Sequence, residues 1–184
     1  MATSTASTKV VTGVVRLSFV HLLEPSEDLN GNMKYSAMVL IPKKDKETID
    51  KLRAAEKAAL EAAIPTKFNG TKPKNLKRVF RDADEELDLD KYPEAEGHMF
   101  MNVSNKTKPG LVDENVQPVM DPGAVYSGVY ARVSVNAFAY NAQGSKGLSF
   151  GLNNVMVLGY GEPLGGVGAS AESDFADFAD NDLL

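Results

Sequence analysis

The residues best placed to do chemistry lie between Val125 and Tyr140, where side chains alternate with a period of two. One series is Val129, Ala131, Val133, Val135, Ala137 and Ala139, all small and apolar. The other is Tyr130, Arg132, Ser134, Asn136, Phe138 and Tyr140. On a strand the two series face opposite ways, so rings and a guanidinium share one surface at steps of ~6–7 Å. Rings at that spacing can stack on splayed nucleic-acid bases while cations meet phosphates. Packing of the same rings beneath a loop is the competing outcome, and the intervening Arg132, Ser134 and Asn136 argue against a dry layer. A second basic series, Lys67, Lys72, Lys74, Lys77, Arg78 and Arg81, is broken by glycine and proline and contains no acid. With Phe68 and Phe80 it suits a segment that wraps a phosphate backbone. Lys106 and Lys108 form a shorter basic turn before Pro109-Gly110.

Covalent and metal chemistry find little support. Cysteine is absent and the histidines are His21 and His98 alone, which excludes thiolate nucleophiles, disulfides and Cys- or His-rich metal sites. Gly144-Ser145-Lys146-Gly147 lacks the glycine spacing and the Lys-Ser/Thr pair of a phosphate-binding loop. Gly159-Tyr160-Gly161 lacks the last glycine and the helix of a dinucleotide fingerprint. In the run Asp82, Asp84, Glu86, Asp88 and Asp90, Leu87 stands where a calcium loop needs glycine. Neighbouring carboxylates on a loop also fail to converge on a rigid metal pair. The expectation is a binder with no cofactor, no metal and no enzymatic activity.

The elements that must position these residues are mostly strands. Val10–Leu23 and Met33–Ile41 alternate and are separated by Glu24-Pro25 and the Asn30-Gly31 turn, which predicts an antiparallel pair. Asp45 is a helix N-cap and Pro65 a stop, so a helix is expected over about 45–63, with an apolar stripe of Ile49, Leu52, Leu60 and Ala63 interrupted at Glu56. Thr66–Gly97 is expected to be irregular: its basic half is followed by eight acids between Asp82 and Glu96 with Lys91 the one base among them. Such a segment could close over a bound strand, its acidic half restricting access to duplex. His98–Ser104 is a third strand, Val125–Tyr140 the longest, and Leu148–Tyr160 its hairpin partner across a Gly-rich turn. Strands at this spacing with one helix predict a mainly β fold, a small barrel or sandwich.

The 184 residues suit one domain with tails: residues 1–9 as a disordered leader, 10–167 as the folded body and 168–184 as an acidic tail. The net charge of −5 belongs to the tail. Five of the 25 acids fall in 168–184 with no base, leaving 20 acids against 20 Lys and Arg in the body. No apolar run approaches the ~18 residues of a membrane span, so a soluble intracellular protein is expected. The tail alternates acids with large apolar groups: Asp174, Phe175, Asp177, Phe178, Asp180, Asp182 and Leu184. That pattern suits docking in a basic, apolar-floored groove of a partner, and competition with nucleic acid for the body's own cations.

Several blocks together resemble one family. They are Arg16-Leu17-Ser18-Phe19, Tyr35 through Ile41-Pro42-Lys43, Lys106-Thr107-Lys108-Pro109-Gly110, Tyr126-Ser127-Gly128, Asn136 to Asn141, Gly151-Leu152-Asn153-Asn154-Val155 and Gly161-Glu162-Pro163-Leu164-Gly165-Gly166. Over roughly residues 10–178 the chain resembles the single-stranded DNA-binding proteins of tailed phages and prophages. The resemblance implies an OB-fold-like small β-barrel and sequence-independent binding of single-stranded DNA during replication, recombination and repair, in the cytoplasm of a bacterial host. It favours Tyr130, Arg132, Phe138, Tyr140, Lys106 and Lys108 as DNA contacts, and Arg78 and Arg81 join them from the basic series. It also implies that the tail recruits replication and recombination proteins, although this chain ends in Leu184 where such tails often end in Phe. Ala83 departs from the family's usual Gly after Arg81-Asp82, which predicts a local turn without positive φ. The sequence leaves a homo-oligomer open, and the alternative function is a phage protein-interaction module that binds no nucleic acid.

Overall fold

The computed structural model describes residues 7–142 and 144–164. Residues 1–6 of the expected leader and the expected partner-binding tail, 168–184, lie outside the described residues.

The apolar series of the longest alternating stretch is buried throughout, which draws that strand into the centre of the sheet. The strands are β1 (Lys9–Val11), β2 (Val15–Glu27), β3 (Met33–Pro42), β4 (Lys77–Arg78), β5 (Arg81–Asp82), β6 (His98–Asn105), β7 (Gly110–Val112), β8 (Tyr130–Ala142) and β9 (Ser145–Gly159). Five of them close a ring: β2 pairs β3, β3 pairs β6, β6 pairs β9 in parallel, β9 pairs β8, and β8 returns to β2. Numbered along the chain, this is the 1-2-3-5-4-1 order of an OB-type barrel. Closure removes the open edges that a twisted sheet of this size would otherwise expose.

Helix α1 (Lys46–Ala63) enters between the second and third barrel strands. Its start is tied twice. Asp45 Oδ1 accepts from Thr48 N at 3.1 Å, and the Thr48 hydroxyl accepts from Gly13 N at 2.9 Å, at the break between β1 and β2. Ala55, Ala59 and Ala63 face the barrel, where β8 presents Ala137 and Ala139. Small residues on both sides let helix and strand approach closely. Sheet pairing reaches into the expected leader: Lys9 pairs with Asn136, and the Thr8 carbonyl accepts from Ala137 N at 2.8 Å. The expected strand Val10–Leu23 is split into β1 and β2 at residues 12–14, and β2 runs past Glu24-Pro25 to Glu27, because Pro25 falls in a register irregularity between His21 and Ser26 where no ladder donor is needed.

The 66–97 segment, expected to be irregular, is stitched to the barrel by short elements. β4 runs parallel to Gly147–Leu148 of β9, and β5 pairs with Met99–Phe100 of β6. Helix α2 (Ala83–Glu86) and a 3-10 turn (Pro93–Ala95) follow. Between its acids the segment carries Leu87, Leu89 and Tyr92, which turn inward with Ala83 and Ala95 to form a second apolar cluster on Leu40 and Phe100. Ala83 opens α2 with its methyl buried in that cluster, so no positive φ arises there. Phe68 and Phe80, expected beside a phosphate backbone, are both core residues. They anchor the segment rather than meet a ligand.

Residues 161–164 lock over the start of β8. Tyr126 Oη donates to the Gly161 carbonyl at 2.6 Å, and Leu164 N donates to the Ser127 carbonyl at 2.9 Å. A Cβ on Gly161 would overlap the Gly128 carbonyl. Gly161→Ala should therefore lower the unfolding free energy by ~2–4 kcal/mol in urea titrations. Gly70→Ala, where φ is +81° but nothing lies within 4 Å, should cost only about 1 kcal/mol.

Candidate nucleic-acid interface

With one face of β8 sealed into the core, the opposite series must point outward. Phe138 is 44% exposed and Tyr130 36%. Arg132 and Asn136 are exposed, and Ser134 and Tyr140 are half-buried. What the rings do next depends on β9. Gly147 stands opposite Tyr140, Ser149 opposite Phe138 and Gly151 opposite Asn136. A Cβ on Gly147 would overlap the Tyr140 phenol and press on the Lys77 carbonyl, and one on Gly151 would sit 3.8 Å from the Phe138 ring. Gly147 thus leaves room for the Tyr140 ring to lean across β9, while Phe138 lies at ordinary contact distance from the Gly151 position.

Beyond Gly147 the neighbour is β4, which brings its cations to the same place. Lys77, Arg78, Arg81, Tyr140 and Ser149 line a groove of about 430 Å³ floored by Val79 and Leu148. Arg81 is held on one wall: its guanidinium lies 4.9 Å from the Phe100 ring centroid and its Nε is 3.3 Å from Glu86. Lys77 and Arg78 make no ion pair among the described residues. Lys67 differs, because its ammonium donates to the Ala139 carbonyl at 2.7 Å and serves the fold.

The other end of β8 holds a second arrangement. Arg16 lies 5.5 Å over the Tyr130 ring while its Nε donates to the Gly128 carbonyl at 3.0 Å and its Nη2 to the Glu162 carbonyl at 2.8 Å. Tyr130 and Tyr140 are ten residues apart, so the two ends are separated by ~33 Å along the strand. Arg132 lies between them, opposite Met156. Lys106 and Lys108 sit exposed on the turn after β6. Lys108 lines a separate groove of about 530 Å³ with Val20, His21, Glu24 and Pro122. The structure therefore brings Tyr140, Arg78 and Arg81 together, places Phe138 two residues along the same face, opposite Ser149, with Tyr130 and Arg132 farther on, and does not bring Lys108 to that groove.

Three contributors escaped the sequence reading. Lys77 was visible as a base but not as a wall of the Tyr140 groove. Gly147 and Arg16 act only through cross-strand neighbours, which become known with the register.

The charges around the groove are sorted by the fold. Lys43 bridges Asp82 at 2.7 Å and Asp84 at 2.6 Å. Those two carboxylates hold the lysine's pKa above its ordinary value. Asp84 is pushed down in turn, first by Lys43 and then by the Gly97 amide. The acids closest to the basic series are thus turned onto Lys43 rather than into the groove.

The sequence model of the family described as Enterobacter phage Enc34, ssDNA-binding protein, matches residues 8–184. The chain belongs to this family. Protein p50 of Acyrthosiphon pisum secondary endosymbiont phage 1 is 29% identical over 178 residues, 93% of this chain and 94% of that protein. The single-stranded DNA-binding protein from bacteriophage Enc34 superposes with a TM-score of 0.70 at 19% identity, over 98% of this chain and 97% of that one. Its complex with ssDNA gives 0.71 at 20% identity, over 90% and 97% of the two chains. Gp2.5, a single-stranded DNA binding protein encoded by bacteriophage T7, gives 0.62 at 16% identity, over 96% and 97%. At these identities the structural likeness establishes the fold. The family resemblance carried by the sequence blocks and the expected OB-like barrel are both borne out.

This family member also carries a buried carboxyl on α1. Glu56, which interrupts the α1 stripe, is 3% exposed, and its Oε2 has no hydrogen-bond partner. Burial raises its pKa above the ordinary 4.5, an effect reduced by the charges of Arg78 and Arg53. A carboxyl with a raised folded pKa stabilises the fold fully below its unfolded pKa and loses that contribution as pH rises through the folded value. Glu56→Gln should therefore gain stability over the parent progressively as pH is raised from about 4 to 8, measured by urea unfolding at each pH. A pH-independent difference would contradict the buried, neutral-preferring carboxyl.

Proposed function

We propose that the protein binds single-stranded DNA without sequence preference along the outer face of β8 and β9. The observation that carries this reading is a pair of rings on one face, Tyr140 leaning over Gly147 into the Lys77–Arg78–Arg81 groove and exposed Phe138 two residues along. Bases stack on the two rings, and phosphates meet Lys77, Arg78 and Arg81. Farther along, Arg132 and the Arg16–Tyr130 stack receive the continuing strand. Stacking tolerates any base because each has a π-face, which accounts for binding without readout of sequence. Family membership supports the reading, as does a structural neighbour solved in complex with ssDNA.

In this proposal the protein is a binder rather than a catalyst. It covers single strands exposed during phage replication and recombination in the host cytoplasm. The tail carrying Asp174, Phe175, Asp177, Phe178, Asp180, Asp182 and Leu184 recruits replication and recombination proteins and competes with DNA when idle.

Fluorescence polarisation with labelled oligo-dT tests the reading. Phe138→Ala and Tyr140→Ala should each weaken binding by ~1–3 kcal/mol, about 5- to 150-fold. Lys77→Ala and Arg78→Ala should weaken binding to all sequences alike and flatten the salt dependence, each by one phosphate's share. Lys108→Ala, facing another groove, should leave affinity nearly unchanged. Unaltered affinity in both ring variants would overturn the assignment of this face. Absence of any polarisation change with single strands at moderate salt would favour a protein-interaction module instead. Truncation after Gly168 should raise affinity at low salt, and no change there would discard competition by the tail.

A further inference from the structure

We propose that the groove between residues 113–126 and the end of β9 docks a basic, apolar segment of a partner protein, independently of the nucleic-acid reading. The groove is lined on its apolar side by Val119, Met120, Tyr126, Val157 and Leu158, and its volume is about 440 Å³. Asp113, Glu114 and Asp121 supply its polar side, with no Lys, Arg or His among the lining residues. Met120 is 87% exposed and Val116, on the same loop, 64%. Exposed apolar surface rimmed by charge of one sign is the signature of a protein contact rather than of a solvated loop.

The walls are held in place, so these apolar groups are presented to solvent. Asp113 Oδ1 accepts from Asn115 N at 2.9 Å and Gln117 N at 3.0 Å. Asp113 N donates to the Gln117 carbonyl at 2.8 Å, and Val119 N to the Leu111 carbonyl at 3.0 Å. Asp121 Oδ1 accepts from Gly123 N at 2.9 Å. Among the described residues, Glu114 and the second carboxylate oxygens of Asp113 and Asp121 make no hydrogen bond or ion pair. Val116 itself sits at φ +59°, a conformation disfavoured for a β-branched side chain. Glycine or asparagine would suit that turn better, and strain of this kind persists where the surroundings or a function require it.

Charge selects the occupant. A phosphate backbone is repelled by the acidic rim. The chain's own C-terminal segment continues from Leu164, beside Ser127, but residues 168–184 bring five more acids and no base. A partner segment that alternates Lys or Arg with large apolar residues satisfies the carboxylates and covers Met120 and Leu158 together. The groove opens at the Val157–Gly159 end of β9, whereas Tyr140 pairs at Gly147, ~33 Å away along the strand. A partner docked here leaves Phe138 and Tyr140 free and meets the proposed nucleic-acid track only at its Tyr130 end, where Tyr130 pairs with Gly159.

The test uses the full chain with ¹³C-methyl-labelled methionine. It is titrated with a panel of eight-residue peptides alternating Lys or Arg with Leu, Met or Phe, and with a matched Glu panel. The expected result is a saturable shift of the Met120 methyl with basic peptides only. Met120→Lys and Glu114→Lys should each weaken that binding by about tenfold or more while leaving oligo-dT affinity unchanged. No Met120 shift with any basic peptide, or equal binding of the acidic panel, would overturn the proposal. So would an equal loss of oligo-dT affinity in these variants, which would assign the groove to nucleic acid. Sedimentation velocity covers the remaining occupant: a dimer that Met120→Lys dissociates would assign the groove to a second copy of this chain.

Discussion

The two-residue alternation of β8 is the constraint on which the rest of the structure depends. Its inner side chains are small because two things must fit against them: the barrel core and, at Ala137 and Ala139, the alanine face of α1. Slipping the register by one residue would put Arg132 and Asn136 into that space and the valines into solvent, a reversal the core cannot absorb. Burial on one side therefore specifies exposure on the other. The outward rings are a consequence of the packing as much as a feature added for binding.

The same economy governs the 66–97 segment. Its bases reach the Tyr140 groove through the parallel pairing of β4 with β9, while its acids are carried away onto the outer face of β3 and β6. There Leu87, Leu89 and Tyr92 cover Leu40 and Phe100, and Lys43 and Arg81 take up Asp82, Asp84 and Glu86. Asp82 and Asp84 are thereby taken up by Lys43 and Glu86 by Arg81, while Lys77 and Arg78 stay without an ion pair among the described residues. In an OB-type barrel the outer face of these two strands is a common platform for oligonucleotides. Here part of it is occupied by the protein's own chain, which leaves β8 and β9 as the open cationic and aromatic track.

Local signals carried most of the architecture. Asp45 and Pro65 bracket α1 in the sequence as they do in the structure, and the β8 alternation identified every buried and outward residue along that strand. Glu56 already stood out as a break in an apolar stripe. What could not be read was long-range. Phe68 and Phe80 look like loop aromatics until the barrel supplies a core for them. Arg16 meets Tyr130 only because β2 and β8 pair, and Lys108 turns toward β2 only because of how the chain leaves β6. The short strands β4 and β5 carry too few residues for any periodicity, and their existence follows from neighbours distant in sequence.

The central claim is that a single strand lies on the rings of β8. The most direct measurement is ultraviolet cross-linking of 5-bromo-deoxyuridine oligonucleotides to the full chain, with the adducts mapped by mass spectrometry. The account predicts adducts at Phe138 and Tyr140. Adducts confined to Tyr35, Tyr92 or the 105–126 region would place the strand elsewhere on the barrel and contradict it.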